Sequence, residues 1–156
     1  FFFGIKMAWL VRVAVVLLLA TCSQAGLMAF NGEHTETGIN EDPEVYLVEV
    51  YSKMCGSCQE FAPTWTKFVE KFDGKFKFVG VNIDDKKGMA YAQKIGAMDQ
   101  GGIPSVMMFK GGTPVPVVSG DVVSPKELSK RVKDQVKKLQ KNSAGMYLKS
   151  EPHSDL

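Results

Sequence analysis

The feature that most constrains this chain is a pair of cysteines, Cys55 and Cys58, placed where a strand pattern gives way to a helix pattern. The apolar run 45–50 has the character of a buried strand, and an amphipathic segment follows the second cysteine. A thiol in the first turn of a helix meets free peptide N–H groups and the positive end of the helix dipole, which favour its thiolate form. The second cysteine follows one turn later, within reach of a mixed disulfide formed by the first. The spacing therefore predicts a dithiol redox site.

The cysteine count limits the alternatives to this interpretation. The chain has 156 residues and three cysteines, of which Cys22 falls in an N-terminal apolar segment that we expect to be removed. The two that remain are too few for a disulfide-stapled scaffold. A structural zinc site needs four ligands, and His34 and His153 near the chain ends supply the other two poorly. We therefore expect the site to need neither a metal nor an organic cofactor.

The charge balance excludes one class of partner. The chain has 19 Lys and Arg against 17 Asp and Glu, and Lys6 and Arg12 lie in the segment expected to be removed. The remaining chain is then close to neutral, and the lysines of its last helix are interpreted as a solvated face. We expect no nucleic-acid partner.

Residues 1–25 have the layout of a secretory signal peptide. Arg12 precedes the uninterrupted apolar run 13–20, and Ser23-Gln24-Ala25 offers small residues where a signal peptidase cuts. Residues before Met7 are a possible leader. An uncleaved anchor is an alternative, although this apolar run is shorter than the roughly 20 residues that span a bilayer. A lipoprotein signal ending at Cys22 is another. We expect a protein of the endoplasmic reticulum lumen or a secreted one, which touches membrane only through this segment if it stays uncleaved.

Turn residues and apolar periodicity divide the rest into a domain over 26–141 and a flexible tail over 142–156. Pro63 should kink the first long helix, and Asp84-Asp85 can cap the next one. Ser124 and Glu127 form a capping box for the last helix. The predicted order is a short strand 27–30, a loop 31–42 with room for one helical turn, strand 45–51, helix 58–72, strand 76–83, helix 86–95, a hairpin of strands 106–109 and 115–119, and a helix from 125 onward.

This order of elements resembles the thioredoxin superfamily and, within it, the protein disulfide isomerase type of domain. The resemblance covers roughly residues 44–141. It implies an α/β fold of three layers, in which a central mixed sheet of four to five strands is flanked by helices. The local matches that support it are Leu47-Val48-Glu49-Val50-Tyr51, Cys55-Gly56-Ser57-Cys58, Ala62-Pro63, Val81-Asn82-Ile83-Asp84 and Gly102-Ile103-Pro104-Ser105.

The resemblance also implies roles for residues outside the cysteine pair. Pro104 should follow a cis peptide bond beside the cysteines, so that Ile103 and Pro104 present backbone groups to an extended client peptide. Glu49 should lie beneath Cys58, where a carboxyl of raised pKa can accept the proton of the resolving thiol. Glutamate at this place is more similar to the isomerase branch than to the small cytosolic thioredoxins.

Three departures from the family pattern make the predicted site atypical. Met54 stands where a tryptophan usually precedes the first cysteine, which changes the apolar rim of the site. Gly56-Ser57 separates the cysteines, and Ser57 carries no charge to stabilise the thiolate, so we expect an intermediate reduction potential. The loop at Gly120-Asp121-Val122 has no arginine, which the isomerase type carries there.

The resemblance implies a protein disulfide oxidoreductase or isomerase. Its partners would be cysteine-containing client proteins of the secretory pathway and an unidentified redox partner. The alternative is a client-binding module with weak redox turnover. The final residues His153-Ser154-Asp155-Leu156 faintly resemble signals for retrieval to the endoplasmic reticulum, with a tail of no such meaning as the alternative.

Overall fold

A computed structural model describes residues 26–99 and 101–150. The predicted signal peptide and the predicted retrieval signal therefore lie outside the described residues. Within the described ranges, no helix is long and apolar enough to cross a lipid bilayer.

Five strands and four helices make up the described chain. The strands form one sheet in the order β1-β3-β2-β4-β5, with β1 and β2 parallel to β3, and with β4 antiparallel to both β2 and β5. This confirms the predicted mixed sheet flanked by helices. The elements are β1 Leu27–Ala29, α1 Glu33–Glu41, β2 Tyr46–Tyr51, α2 Gly56–Phe72, β3 Lys77–Asn82, α3 Lys86–Lys94, β4 Ser105–Phe109, β5 Val115–Ser119 and α4 Pro125–Val136.

The two faces of the sheet bury separate apolar clusters, which gives three layers. Helices α2 and α4 cover one face, and their cluster includes Leu47 and Phe78. Helices α1 and α3 cover the other face, and their cluster includes Val48 and Val79. Side chains alternate between faces along a strand, so Glu49 follows Leu47 onto the face covered by α2. The pleat of β2 thereby places a carboxyl under the helix that begins at the cysteine pair.

Helix α2 owes its position to a stripe of large apolar side chains. Phe61, Trp65 and Phe68 are at most 2% exposed and recur at helical spacing, as the sequence predicts. The ring of Trp65 meets that of Phe78 on β3 edge to face at 5.8 Å between centroids. Pro63 lies inside the helix on its exposed side, and the helix continues through it to Phe72.

Helix α1 corrects the prediction of a loop over residues 31–42. It is a nine-residue helix whose single fully buried side chain is Ile39. Just before it, Phe30 stacks on Tyr91 of α3 at 4.5 Å between ring centroids. One apolar residue among polar ones gives no periodicity to detect. Tertiary packing against α3, rather than local pattern, therefore stabilises this helix.

Residues 142–150 were expected to form a flexible tail, and the structure differs. Tyr147 pairs with Lys141 and stacks on Phe76 at 5.0 Å, and Leu148 pairs with Glu44 ahead of β2. Asn142 starts the turn that allows this, because its side-chain oxygen accepts hydrogen bonds from two later peptide N–H groups. We call residues 141–150 the C-terminal strap. The packed domain thus extends past residue 141 to at least Ser150.

Candidate active site

Cys55 is the N-cap residue of α2, which places its sulfur at the helix N-terminus. The Sγ atom accepts the peptide N–H of Cys58 at 3.2 Å and lies 3.1 Å from the hydroxyl oxygen of Ser57. Both cysteines are free thiols, with Cys55 half-buried and Cys58 only 4% exposed. The predicted pair therefore meets at one point, with one sulfur toward solvent and the other inside.

The pKa of Cys55 is lowered from its ordinary value. Burial alone would raise this pKa, but hydrogen bonds from Cys58 and Ser57 to the sulfur outweigh burial and favour the thiolate. The helix dipole acts in the same direction at this position. Of the two thiols, Cys55 is therefore the one that forms a thiolate more readily.

The pKa of Cys58 moves in the opposite direction, to about 11. Burial is the main cause, followed by the hydrogen bond between Cys58 and Cys55 and, more weakly, the charge of Glu49. A buried thiol of raised pKa attacks only after it has lost its proton. The two thiols of the site are therefore asymmetric in pKa and in exposure.

Glu49 lies in β2 and is 7% exposed. Burial raises its pKa to about 8, so the carboxyl is mostly protonated at neutral pH and can still ionise there. No ion pair within the described ranges involves Glu49. Its side chain lines the same cavity as Cys58. The geometry thus brings the predicted carboxyl to the same cavity as the Cys58 thiol.

The Ile103–Pro104 peptide bond is cis, as the resemblance implies. The carbonyl oxygen of Ile103 lies 3.4 Å from the hydroxyl oxygen of Ser57 and 4.0 Å from the sulfur of Cys55. The carbonyl of Pro104 accepts the peptide N–H of Gly120 at 2.9 Å. The loop ahead of β4 is therefore held against the cysteine pair, where the sequence predicts it.

The loop that lacks an arginine supports the proline loop instead. Gly120 has φ of 77°, and a Cβ atom there would fall 2.2 Å from the carbonyl oxygen of Gly101. Only glycine permits both this conformation and this close approach. The one arginine of the described ranges, Arg131, is bonded to Glu127 and to the Val117 carbonyl.

The rim of the site is apolar on one side and open at the helix start. Met54 is 87% exposed beside Cys55. Gly56 has open space where a Cβ would be. Met54 therefore gives this part of the rim an exposed apolar side chain next to Cys55.

Ser52 and Asp84 are site residues that the sequence reasoning missed. The Ser52 hydroxyl donates to one oxygen of Asp84, and the peptide N–H of Lys53 donates to the other. The Ser52 oxygen in turn accepts the N–H of Met54 at 3.0 Å. The sequence reasoning assigned Asp84-Asp85 to a helix cap, yet Asp85 alone caps α3. The sequence did contain a sign of this second role, because one aspartate is enough to cap α3 and the chain has two there.

The thioredoxin family model matches residues 27–134, which is more than half of the chain. The chain belongs to the thioredoxin family. It is 36% identical to Thioredoxin 1 of Nostoc sp. over 76 residues, and this match covers 49% of this chain and 66% of that protein. It is 28% identical to protein disulfide-isomerase like 2-2 of Arabidopsis thaliana over 87 residues, and this match covers 56% of this chain and 18% of that protein.

Among solved structures, the J-Trx1 fragment of ERdj5 superposes with a TM-score of 0.60 at 24% identity, over 72% of this chain and 51% of that one. This likeness is one of fold. The chain spans less than two thirds of the curated relatives named here, and these include both a thioredoxin and an isomerase-like protein. The family therefore establishes a thioredoxin-fold domain of the oxidoreductase type.

Proposed function

We propose that this domain is a thiol–disulfide oxidoreductase of the protein disulfide isomerase kind, which exchanges disulfides with cysteine-containing proteins of the secretory pathway. The observation that supports it most is the asymmetry of the two thiols at the start of α2. Cys55 has a lowered pKa and reaches solvent, whereas Cys58 is buried with a pKa of about 11. One thiol attacks, and the other waits until it is deprotonated.

The reaction proceeds by two thiol–disulfide exchanges. The Cys55 thiolate attacks one sulfur of a client disulfide, the client S–S bond breaks, and the other client sulfur leaves as a thiolate. Glu49 then takes the proton of Cys58, whose thiolate attacks the sulfur of Cys55. The Cys55–Cys58 disulfide forms, the client is released, and two electrons have passed from protein to client. The reverse sequence oxidises a client dithiol.

A client would lie along the loop of Ile103 and Pro104. This loop is within 4.0 Å of the Cys55 sulfur, and Met54 adds an exposed apolar contact. An extended client segment would lie alongside this loop, as peptides do that are recognised by strand addition. A separate redox partner must restore the starting state of the pair after each turnover.

Ser57 bears on the net direction of the reaction. It donates a hydrogen bond to the Cys55 thiolate but adds no positive charge, which supports a potential between those of reductases and oxidases. Equilibration of the Cys55–Cys58 couple with glutathione measures it. A potential near about −270 mV would assign a reductase, and one near about −180 mV an isomerase or oxidase.

Insulin reduction tests the activity itself. Wild-type protein should precipitate insulin chains in the presence of a dithiol, and Cys55→Ser should abolish this. Residual activity of Cys55→Ser at the wild-type level would overturn the proposal.

A client-binding module with weak turnover is the second candidate, and the 87% exposure of Met54 favours it. Trapping separates the two. With Cys58→Ser, an exchange catalyst accumulates mixed disulfides between Cys55 and its clients, since resolution is blocked. A module that only binds accumulates none, although it still retains clients non-covalently.

A secretory location is part of the proposal. It rests on the apolar segment over residues 13–20 and the small residues before Gly26. Expression of the whole chain in eukaryotic cells, followed by mass spectrometry of the product, tests it. The expected protein begins at Gly26, and cell fractionation should find it in the endoplasmic reticulum lumen or the medium.

A further inference from the structure

A groove rich in lysine runs between α2 and α4, and we call it the basic groove. Its volume is about 870 Å³. Glu127 and Asp134 are the acidic residues of its lining, so its six lysines leave an excess of four positive charges. All six are exposed: Lys67, Lys71, Lys126, Lys130, Lys133 and Lys137.

The sequence alone shows only one wall of this groove. Four of the lysines recur along α4 at intervals of four, three and four residues, which places them on one helical face. Opposite to that face lies the buried stripe that includes Leu128 and Val132, so the pattern by itself is that of a solvated helix. The structure adds Lys67 and Lys71, one turn apart on α2, as the other wall. Two rows of lysines from distant parts of the sequence therefore line one groove.

The acidic residues of the groove already have cationic partners. Glu127 is paired with Arg131 at 3.1 Å, and Asp134 is paired with Lys137 at 2.7 Å. Within residues 26–99 and 101–150, no ion pair involves any of the other five lysines of the lining. The excess positive charge of the groove is therefore not compensated by an ion pair in this part of the chain.

Two ammonium groups from opposite walls converge on one aromatic ring. The Nζ atom of Lys71 lies 5.6 Å from the centroid of the Phe72 ring, and that of Lys133 lies 5.9 Å from it. The ring attracts each cation, but the two like charges repel each other. An anion that enters between α2 and α4 would be attracted by both ammonium groups at once.

We propose that the basic groove is a docking surface for an acidic polypeptide segment of a protein partner, whose carboxylates pair with lysines of both helices. The row from Lys126 to Lys137 is about 16 Å long at the rise of an α-helix, a length that about five residues of an extended chain cover. The binding does not depend on the exchange activity inferred above, because the acidic segment needs no cysteine.

The basic groove lies away from the cysteine pair. Lys67 comes twelve residues after Cys55, which is about 18 Å along α2. The lining includes neither cysteine and no residue of the loop at Ile103 and Pro104. A segment bound in the groove therefore leaves Cys55 uncovered, and its protein can present another part of its chain to the thiol.

The chemistry of the lining favours a polypeptide over two other polyanions. Single-stranded nucleic acids stack their bases on aromatic side chains, but Phe68, the aromatic residue of this lining, is only 1% exposed. The lining contains lysines and no arginine, so it lacks the planar forks that suit phosphate. A membrane surface is held by exposed apolar side chains, and none of the large ones exposed in the described chain belongs to this concave surface.

Fluorescence anisotropy with the full protein tests the docking surface. The probe is a labelled peptide of about ten residues that alternates glutamate and serine, which is long enough to span the row of lysines when extended. A matched peptide has glutamine in place of glutamate. Lys71→Glu combined with Lys133→Glu reverses the two charges near Phe72. Lys86→Glu combined with Lys87→Glu, at exposed positions in the first turn of α3, is the control with the same net charge.

We expect the wild-type protein to bind the glutamate peptide about tenfold more tightly than the glutamine peptide, and to lose this preference as salt is raised. The groove variant should bind the glutamate peptide about tenfold more weakly than wild type, and the control variant should bind it equally well. Lys71→Gln combined with Lys133→Gln, the milder variant if charge reversal impairs folding, should lie between them. Cys55→Ser should bind like wild type. A cooperative urea transition shows that each variant is folded.

Equal binding of the two peptides, or equal affinity of wild type and both groove variants, would overturn the docking surface. An equal loss in the control variant would also overturn it, because net charge alone would then explain the binding. Tighter binding of a single-stranded oligonucleotide or of phosphatidylserine vesicles, with the same dependence on Lys71 and Lys133, would overturn the choice of a polypeptide. Loss of insulin reduction with intact peptide binding would overturn the exchange activity alone.

Discussion

The hydroxyl of Ser52 donates a 2.5 Å hydrogen bond to Oδ1 of Asp84, and the peptide N–H of Lys53 donates to Oδ2 at 2.9 Å. Ser52 follows the end of β2 and Asp84 follows the end of β3, 32 positions later in the sequence. Together they fix the loop that ends at Cys55, because the Ser52 oxygen also accepts the N–H of Met54. The hydrogen bonds from Ser52 and Lys53 lower the pKa of Asp84, so the acceptor is a carboxylate at neutral pH.

Ser52→Ala should therefore loosen the loop and slow the alkylation of Cys55 by iodoacetamide at neutral pH. Ser52 is 8% exposed, so its replacement also leaves Oδ1 of Asp84 and the Met54 N–H without their Ser52 partner. We expect a several-fold lower rate and a lower free energy of unfolding in urea. Ser143→Ala, at an exposed turn in the C-terminal strap, is the matched control and should change neither. An unaltered rate in Ser52→Ala would remove the loop from the account of Cys55 reactivity.

Ser57→Ala should raise the pKa of Cys55. Burial works against the thiolate, and the hydrogen bonds from Cys58 and Ser57 reverse its effect, so loss of one of them moves the balance back. The pH dependence of Cys55 alkylation, followed by mass spectrometry, should shift upward. The reduction potential of the Cys55–Cys58 couple, measured against glutathione, should become more negative, because a less stable thiolate favours the disulfide. Ser57→His, which adds a positive charge, should move both measurements in the other direction.

Glu49→Gln should change how stability depends on pH. The pKa of Glu49 is about 8 in the folded protein against an ordinary value of 4.5, so the folded state binds the proton more tightly than the unfolded one. Its contribution to stability is fully present below pH 4.5 and is lost as the pH rises through about 8. The difference amounts to on the order of 4 kcal/mol at the upper limit of this range.

Urea unfolding across that pH range measures the effect. Wild-type protein should lose stability as the pH rises, and Glu49→Gln should flatten this loss. Glu60→Gln, at an exposed position of α2, should keep the wild-type slope. If the slopes of wild type and Glu49→Gln coincide, the carboxyl is not held protonated by burial.

Tyr147→Ala should destabilise the domain without affecting its thiol chemistry. The ring stacks on Phe76 at 5.0 Å, and the ammonium of Lys141 lies 4.5 Å from its centroid. An aromatic pair contributes roughly 0.5–1.5 kcal/mol beyond the area it buries, so a loss of about 2 kcal/mol in urea unfolding is expected. Tyr147→Phe keeps both contacts and should be close to wild type. Cys55 alkylation should be the same in all three proteins.

The sequence was enough to predict the residues at the centre of the site, but not the hydrogen bonds that hold the loop around them. Cys55 and Cys58 are identified by local spacing, which can be read from the chain, whereas the place of Glu49 beneath Cys58 followed from the family resemblance. The cis bond before Pro104 followed from the family resemblance. The hydrogen bond between Ser52 and Asp84 links distant positions and leaves no periodic trace, so only the folded chain reveals it.

The same physical reason explains the two elements that were predicted wrongly. Ile39 is the only fully buried side chain of α1, and Tyr147 is a lone aromatic in a polar segment. Each is positioned by a partner far away in sequence, Ile39 by the cluster around α3 and Tyr147 by Phe76. Patterns within a short window cannot report such contacts.

The C-terminal strap and the cysteine pair lie at opposite ends of β2. Leu148 pairs with Glu44 just before β2 begins, whereas Cys55 follows the point where β2 ends. The six residues of β2 separate the two by about 20 Å. The ammonium of Lys149 donates a hydrogen bond to a backbone carbonyl near the C-terminal end of α1, and the N–H of Ser150 donates to the Lys110 carbonyl. The chain therefore leaves the described domain at the end of β2 that is opposite to Cys55.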